Sequence, residues 1–431
     1  MGRAARMGAG FACAAAMWAG AAAADATTTV RVSVGTGGIQ ANGNSAQPRL
    51  SANGRYVAFL SIAPNLVPGD TNGVDDVFVR DRRTGTTTRV SVATGGGQGN
   101  ADSFAPSISA DGRYVAFESL ATNLVPGDTN AASDIFVRDR KAHTTTGVSV
   151  GAGGVQGDAD SLLPSISADG QDVAFMSNAT DLVTGDTNAQ PDIFVYDQTT
   201  HSTTRVSVGP GGVEANAGSA EAAISGNGRY VAFVSSATNL VPGDTNGFAD
   251  VFIHDRTAHT TVRVSFGAPG TQANDRSDAP ALSSDGRVIA FQSAATNLVP
   301  GDTNAHIDAF VRDRGRHTTT RVSVGAAGVQ ANRGSFTPAV SADGRRVAFT
   351  SWATNLVPHD RNASPDVFLR DRTARTTTRV SVSSTGRAGT MGSDQAAVSA
   401  DGGVVAFWSV APNLVPGDTN HASDVFARLL G

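Results

Sequence analysis

Cysteine occurs once in the 431 residues, at Cys13, so beyond its first few positions the chain has no thiol for a disulfide or a sulfur-ligated metal. Lysine is confined to Lys141 and glutamate to Glu118, Glu214 and Glu221. Charge is therefore carried by arginine and aspartate, which nearly balance at a formal −5. With no basic patch or like-charge block, nucleic acid is excluded as a partner. Aromatics make up 6 %, and no glycine-rich loop lies between a strand and a helix, which excludes a phosphate loop. The Gly153-Gly154 pair falls in a connection between strands, where glycine permits a tight bend. What the chain does have is 49 glycines, 17 prolines and short apolar runs between turn-formers, the composition of an all-β protein rich in turns.

The N-terminus is a separate case. Arg3 and Arg6 precede an Ala/Gly-rich apolar stretch from Met7 to Ala24, followed by the small-residue site Ala24-Asp25-Ala26. Residues 1–26 are expected to be a cleaved signal peptide, which makes the protein exported, to the periplasm or outside the cell. The alternatives are a membrane anchor, for which the stretch is short against the ~20 residues of a span, and lipidation of Cys13. The mature part, residues 27–431, is expected to form one domain.

Its length would normally divide into separate cores unless the core is distributed over repeats. A repeat is present. Val-Ala-Phe ends at Phe59, Phe117, Phe175, Phe233, Phe291, Phe349 and Phe407, with Ile289 in place of one valine, at a constant spacing of 58. A second apolar pair keeps the same register, from Val77-Phe78 to Val425-Phe426. In the second unit four strands are predicted, at Ala105–Ser109, Tyr114–Ser119, Asp134–Asp139 and Thr144–Gly151. Asp111-Gly112 makes the first hairpin and a long loop, Leu120 to Ser133, follows strand two.

Four short strands per unit and seven units predict an all-β, seven-bladed β-propeller of four-stranded blades. Strand one should line the channel, with Leu50, Ile108, Ile166, Ile224, Leu282, Val340 and Val398 facing inward. Strands two and three read as nearly continuous apolar runs, and strand four alternates, as in Arg89-Val90-Ser91-Val92. The last unit stops at Gly431 after its third strand, while an orphan fourth-strand sequence, Thr28 to Val34, opens the mature chain. The N-terminal strand should complete the last blade and remove the open edges.

Ser109-Ala110-Asp111-Gly112-Arg113-Tyr114-Val115-Ala116-Phe117, with Asp134-Ile135-Phe136-Val137-Arg138-Asp139, resembles the TolB-like branch of the tryptophan-aspartate β-propeller repeats. The match recurs in every unit, with Gly403 and Leu429 among the departures in the last. The resemblance implies the propeller fold and a tendency toward protein contacts in the bacterial envelope. The chain departs from TolB itself in its seven units and its longer loop between strands two and three, and it is expected to have no separate N-terminal domain.

The sharpest candidate site is an Asp-x-Asn-x-x-x-Asp loop repeated once per blade. It falls at Asp70, Asn72, Asp76; Asp128, Asn130, Asp134; Asp186, Asn188, Asp192; and Asp244, Asn246, Asp250. The remaining copies are Asp302, Asn304, Asp308; Asp360, Asn362, Asp366; and Asp418, Asn420, Asp424. Oxygen ligands at alternate loop positions suit calcium, which takes roughly six to eight; the competing reading is that Asp and Asn cap a turn. Two carboxylates per loop and no bidentate glutamate favour the cap. Asp81, the next acid, lies on strand three, about 16 Å away at strand rise.

A serine opens strand one of every unit (Ser45, Ser103, Ser161, Ser219, Ser277, Ser335 and Ser393). Its hydroxyl is expected to bond a neighbouring blade's backbone, and with no histidine repeating beside it it has no partner as a nucleophile. His143, His201, His259 and His317 fall in the outer turns between strands three and four, too far apart to share one ion.

The long loops after strand two and after strand four share one face. That face collects Asp70, Asp75, Asp76, Asp102 and Asp128, whereas the opposite turns carry Arg55, Arg80, Arg82, Arg83, Arg113 and Arg140, which predicts an acidic face over a basic one. A binding scaffold for an envelope protein, monomeric and without catalysis, fits the uniform ring. The alternative is a calcium-stabilised carbohydrate- or ligand-binding propeller, weakened because Trp352, Trp408, Phe104, Phe248 and Phe336 recur irregularly. An enzyme would need one blade to acquire its own acids or bases.

Overall fold

The computed structural model describes residues 27–431 except Pro269, so the expected signal peptide lies outside the described residues. The chain forms seven four-stranded antiparallel sheets. Blade one contains β2 (Ser45–Leu50), β3 (Tyr56–Ser61), β4 (Asp76–Asp81) and β5 (Thr86–Arg89), and five further blades repeat that order. In the last, β26 (Ser393–Val398), β27 (Val404–Ser409) and β28 (Asp424–Leu429) are joined by the N-terminal β1 (Thr28–Arg31), which pairs Thr28 with Leu429 and Arg31 with Phe426.

The core sits between blades. Ala58, Val77 and Val79 of blade one pack with Val115, Phe117 and Phe136 of blade two, and Ala406, Val425 and Ala427 of the last blade pack with Val57, Phe59 and Phe78 of the first. This is why strands two and three are apolar on both faces: each face meets a neighbouring sheet. Within each blade the two repeated phenylalanines stack, as at Phe59 and Phe78 with centroids 5.8 Å apart.

Polar bonds join the blades. Strand four's threonine reaches the preceding blade, with Thr87 Oγ1 donating to the Val34 carbonyl and Thr29 Oγ1 to that of Val382, both 2.5 Å. On the hairpin side the Ala400 N–H donates to the Ala52 carbonyl at 2.8 Å, linking last blade to first. Gly112 is required at its hairpin: its φ is +74°, and a Cβ there would collide with the Tyr56 ring of the previous blade.

Two boundaries differ from expectation. Strand one is bulged, with the register shifting between Phe104 and Ser107 around Ala105 at φ +46°. Strand four is shorter, ending at Gly147 in blade two and at Arg31 in the N-terminal copy. The chain leaves the ladder there because the serine two residues on, Ser149 or Ser33, turns inward onto the strand-three aspartate. Leu50, Ile108, Ile224, Leu282, Val340 and Val398 line the central channel as expected, a cavity of about 490 Å³, whereas Ile166 packs into the core between blades two and three.

Candidate functional site

Each Asp-x-Asn-x-x-x-Asp loop returns its second aspartate to the first position of strand three, where the sheet covers it. Asp76, Asp192, Asp250, Asp308, Asp366 and Asp424 are fully buried, so each carboxylate needs partners. One oxygen accepts a short bond from the inward serine two residues past strand four, Ser91 Oγ to Asp76 at 2.5 Å and Ser207 Oγ to Asp192 at 2.5 Å. The other accepts from the loop asparagine, as from Asn72 Nδ2 at 3.0 Å, and that amide also donates to the Gly99 carbonyl at 3.1 Å. In most copies the asparagine oxygen caps its own turn, Asn130 Oδ1 accepting the Ala132 N–H at 2.9 Å and Asn188 Oδ1 that of Gln190 at 2.8 Å.

Between the two aspartates lies a guanidinium that sequence reasoning did not assign. Arg89 Nη1 is 3.0 Å from Asp70 and 2.9 Å from Asp76. Arg263 stands 3.0 Å from Asp244 and 3.2 Å from Asp250, Arg321 3.0 and 3.2 Å from Asp302 and Asp308, and Arg379 3.0 and 3.1 Å from Asp360 and Asp366. Arg31, from the far end of the chain, closes the last copy at 3.3 Å from Asp418 and 3.2 Å from Asp424. The arginine is the last residue of strand four, where the Thr-Thr-Thr-Arg-Val-Ser-Val repeat places it. In these five blades a guanidinium stands between the two carboxylates, and the asparagine turns its amide nitrogen toward the buried one.

Blade three concentrates more acid. Asp186, Asp192 and Glu214 each present a carboxylate oxygen within 4.8 Å of the others, a spacing that could hold a metal ion. Arg205 Nη1 reaches all three, at 3.2, 3.2 and 2.7 Å. Burial, with the neighbouring acids Asp192 and Glu214, pushes the Asp186 carboxyl up to about 6 even against Arg205. Burial also raises Glu214, but the Thr187 N–H and hydroxyl and Arg205 outweigh it and hold that carboxyl at about 2.

The opposite turns are paired as well. Arg55 holds Asp81 at 2.5 Å and drives its carboxyl far below the usual range, and Arg113 and Arg229 hold Asp139 and Asp255 at 2.6 and 2.7 Å. Arg55 and Arg140 also lie over the Tyr56 ring, 4.6 and 4.7 Å from its centroid. Part of the charge expected to divide an acidic face from a basic one is thus paired within each face. Asp70 and Asp76 are 5 % and 0 % exposed against Arg89, and Asp102 caps the Asp75 N–H at 2.9 Å.

The strand-one serines need a second correction. Their hydroxyls bond the serine that ends strand two of the same blade, Ser45 to Ser61 and Ser103 to Ser119 at 2.9 Å, because the two side chains face each other across the ladder. It is their backbone N–H that crosses to the neighbouring blade, from Ser103 to the Asp75 carbonyl at 2.8 Å. His143, His201, His259 and His317 are exposed in left-handed turn positions on separate blades. Among the described residues no catalytic cluster is evident, and no helix is long and apolar enough to cross a membrane.

The fold and this network define a seven-bladed β-propeller in which six blades are pinned at one end by aspartate–arginine pairs. No protein-family model and no curated protein matches the chain. Among solved structures it is similar to an oligogalacturonate lyase in complex with manganese, at 11 % identity over 94 % of this chain and 93 % of that one, TM-score 0.53. It is also similar to the β-propeller domain of the Trilobed protease from Pyrococcus furiosus, at 12 % identity over 89 % and 94 %, TM-score 0.51. That domain has an open velcro topology, whereas here β1 completes the last sheet. TolB from Acinetobacter baumannii aligns at 15 % identity over 78 % of this chain, TM-score 0.42, and the chain spans 63 % of its length. These likenesses show the propeller fold at low sequence identity.

Proposed function

We propose that this protein is an exported scaffold that binds another protein at the bacterial envelope or outside the cell, through the face that carries the long loops. The observation behind this reading is the aspartate–arginine network. It fixes the loops after strand two on a rigid ring, and binding residues concentrate on loops held by such scaffolds. The repeat's resemblance to TolB-like units supports a protein as the partner, as an argument from kinship of fold. Capture from envelope extracts with residues 27–431 as bait tests it. Recovery of a stoichiometric partner, lost when loop-face residues are changed and kept when the opposite turns are changed, is the expected result. The reverse pattern would move the interface to the other face.

A further inference from the structure

One blade breaks the network. Where six blades end strand four in arginine, blade two has Gly147, so Asp128 and Asp134 face each other with no guanidinium of the described residues between them. Asp134 is 3 % exposed. Around this pair lies a cavity of about 190 Å³ lined by Val125, Asp128, Asp134, Gly147 and Gln156, which reaches the exposed glycines Gly127 and Gly154 at the surface of the loop-rich face. A Cβ built on Gly147 would meet only the Phe136 and Val125 side chains at 3.9 Å, so the cavity begins where an arginine side chain would.

Gln156 partly spans the gap, its Nε2 donating to Asp128 at 2.7 Å and to Asp134 at 2.9 Å. This does not close the site to a cation. In the last blade Gln40 makes the same two contacts, 2.9 Å to Asp418 and 3.2 Å to Asp424, with Arg31 bound to both carboxylates beside it. The six intact blades thus show what this pair of carboxylates holds: a planar, multiply donating guanidinium, at 2.9 to 3.3 Å in the copies without the extra glutamate.

We propose that the blade-two cavity is a guanidinium-binding pocket, filled by an arginine side chain of the partner protein. The arginine part rests on the scaffold reading; the pocket's chemistry does not. A partner's arginine entering past Gly127 and Gly154 would restore to blade two the contacts the other blades make within the chain, and it would anchor the partner at one defined blade of an otherwise repetitive ring.

The test uses the mature chain and methylguanidinium chloride as probe at millimolar concentration, with methylammonium and calcium chlorides as controls. Gly147→Arg is the variant that fills the pocket from within. A saturable rise in Tm with methylguanidinium in the wild type, absent in Gly147→Arg, is expected, since a ligand of the native state stabilises it by mass action. Arg263→Gly should gain a second such site. No rise in the wild type, an equal rise in Gly147→Arg, or an equal rise with methylammonium or calcium overturns the proposal. Capture from envelope extracts separates the two readings. A partner held equally by wild type and Gly147→Arg overturns the pocket's role in docking and leaves the scaffold standing. A methylguanidinium effect with no partner captured by either protein upholds the pocket's chemistry and overturns the scaffold.

Discussion

Arg321→Gly converts blade five into the constellation of blade two, since Gln330 already donates to Asp302 at 2.8 Å as Gln156 does to Asp128. The change removes contacts of 3.0 and 3.2 Å and leaves Asp308 buried without a cation. Breaking a buried ion pair by removing one partner costs about 3–5 kcal/mol. The Gln330 amide can swing onto Asp308 as Gln156 does onto Asp134, and a hydrogen bond to a charged group recovers roughly 1.5–3 kcal/mol. Glycine within a strand adds a cost of roughly 0.5–1 kcal/mol. The net expectation is a loss of about 0.5–4.5 kcal/mol, read as a lower urea midpoint at unchanged slope. Asp308→Asn in the same background removes the stranded charge, so the double variant should be more stable than Arg321→Gly alone. If Arg321→Gly lies within about 0.5 kcal/mol of wild type, or if the two losses simply add, the guanidinium is not what holds the loop.

Three other outcomes are expected. Removing residues 27–34 deletes β1 and exposes the edge of β28; the truncated protein should associate, seen as a mass increase in light scattering, and a stable monomer would contradict the closure. Gly112→Ala forces a side chain onto Tyr56 at a φ of +74° and should destabilise by about 1–3 kcal/mol in urea unfolding. Asp186 carries a folded-state carboxyl raised to about 6, so its stabilising influence is complete below about 4 and is lost as pH rises through 6. Asp186→Asn should therefore gain Tm relative to wild type over that interval, with Arg205, Asp192 and Glu214 still in place, and parallel Tm curves would refute it.

The ring was legible because its information is periodic. Phe59 to Phe407 and the orphan Thr28 strand fix the blade count and the closure without any tertiary fact. The Asp and Asn positions were legible as a turn motif, but their partner was not. Arg89 and its equivalents lie 13 residues beyond the strand-three aspartate, across a ladder, and alternate with Val90 as any outer-strand residue would. The charge pairing within each face was hidden for the same reason: a count of residues by turn cannot see that Arg55 reaches Asp81 or that Arg89 reaches Asp70 and Asp76.

A usable signal did exist in the repeat itself. Six units read arginine where the seventh reads Gly147, and the aspartates are retained in all seven. If those acids served only to cap turns through backbone N–H groups, the arginine would be dispensable in every blade and its loss would leave no cavity. The loss instead leaves about 190 Å³ beside a carboxylate that the fold still buries. A repeat protein that keeps the anion and drops the cation in one unit alone has concentrated its asymmetry at one point on the loop-rich face. A search for the partner's contact should start at that point.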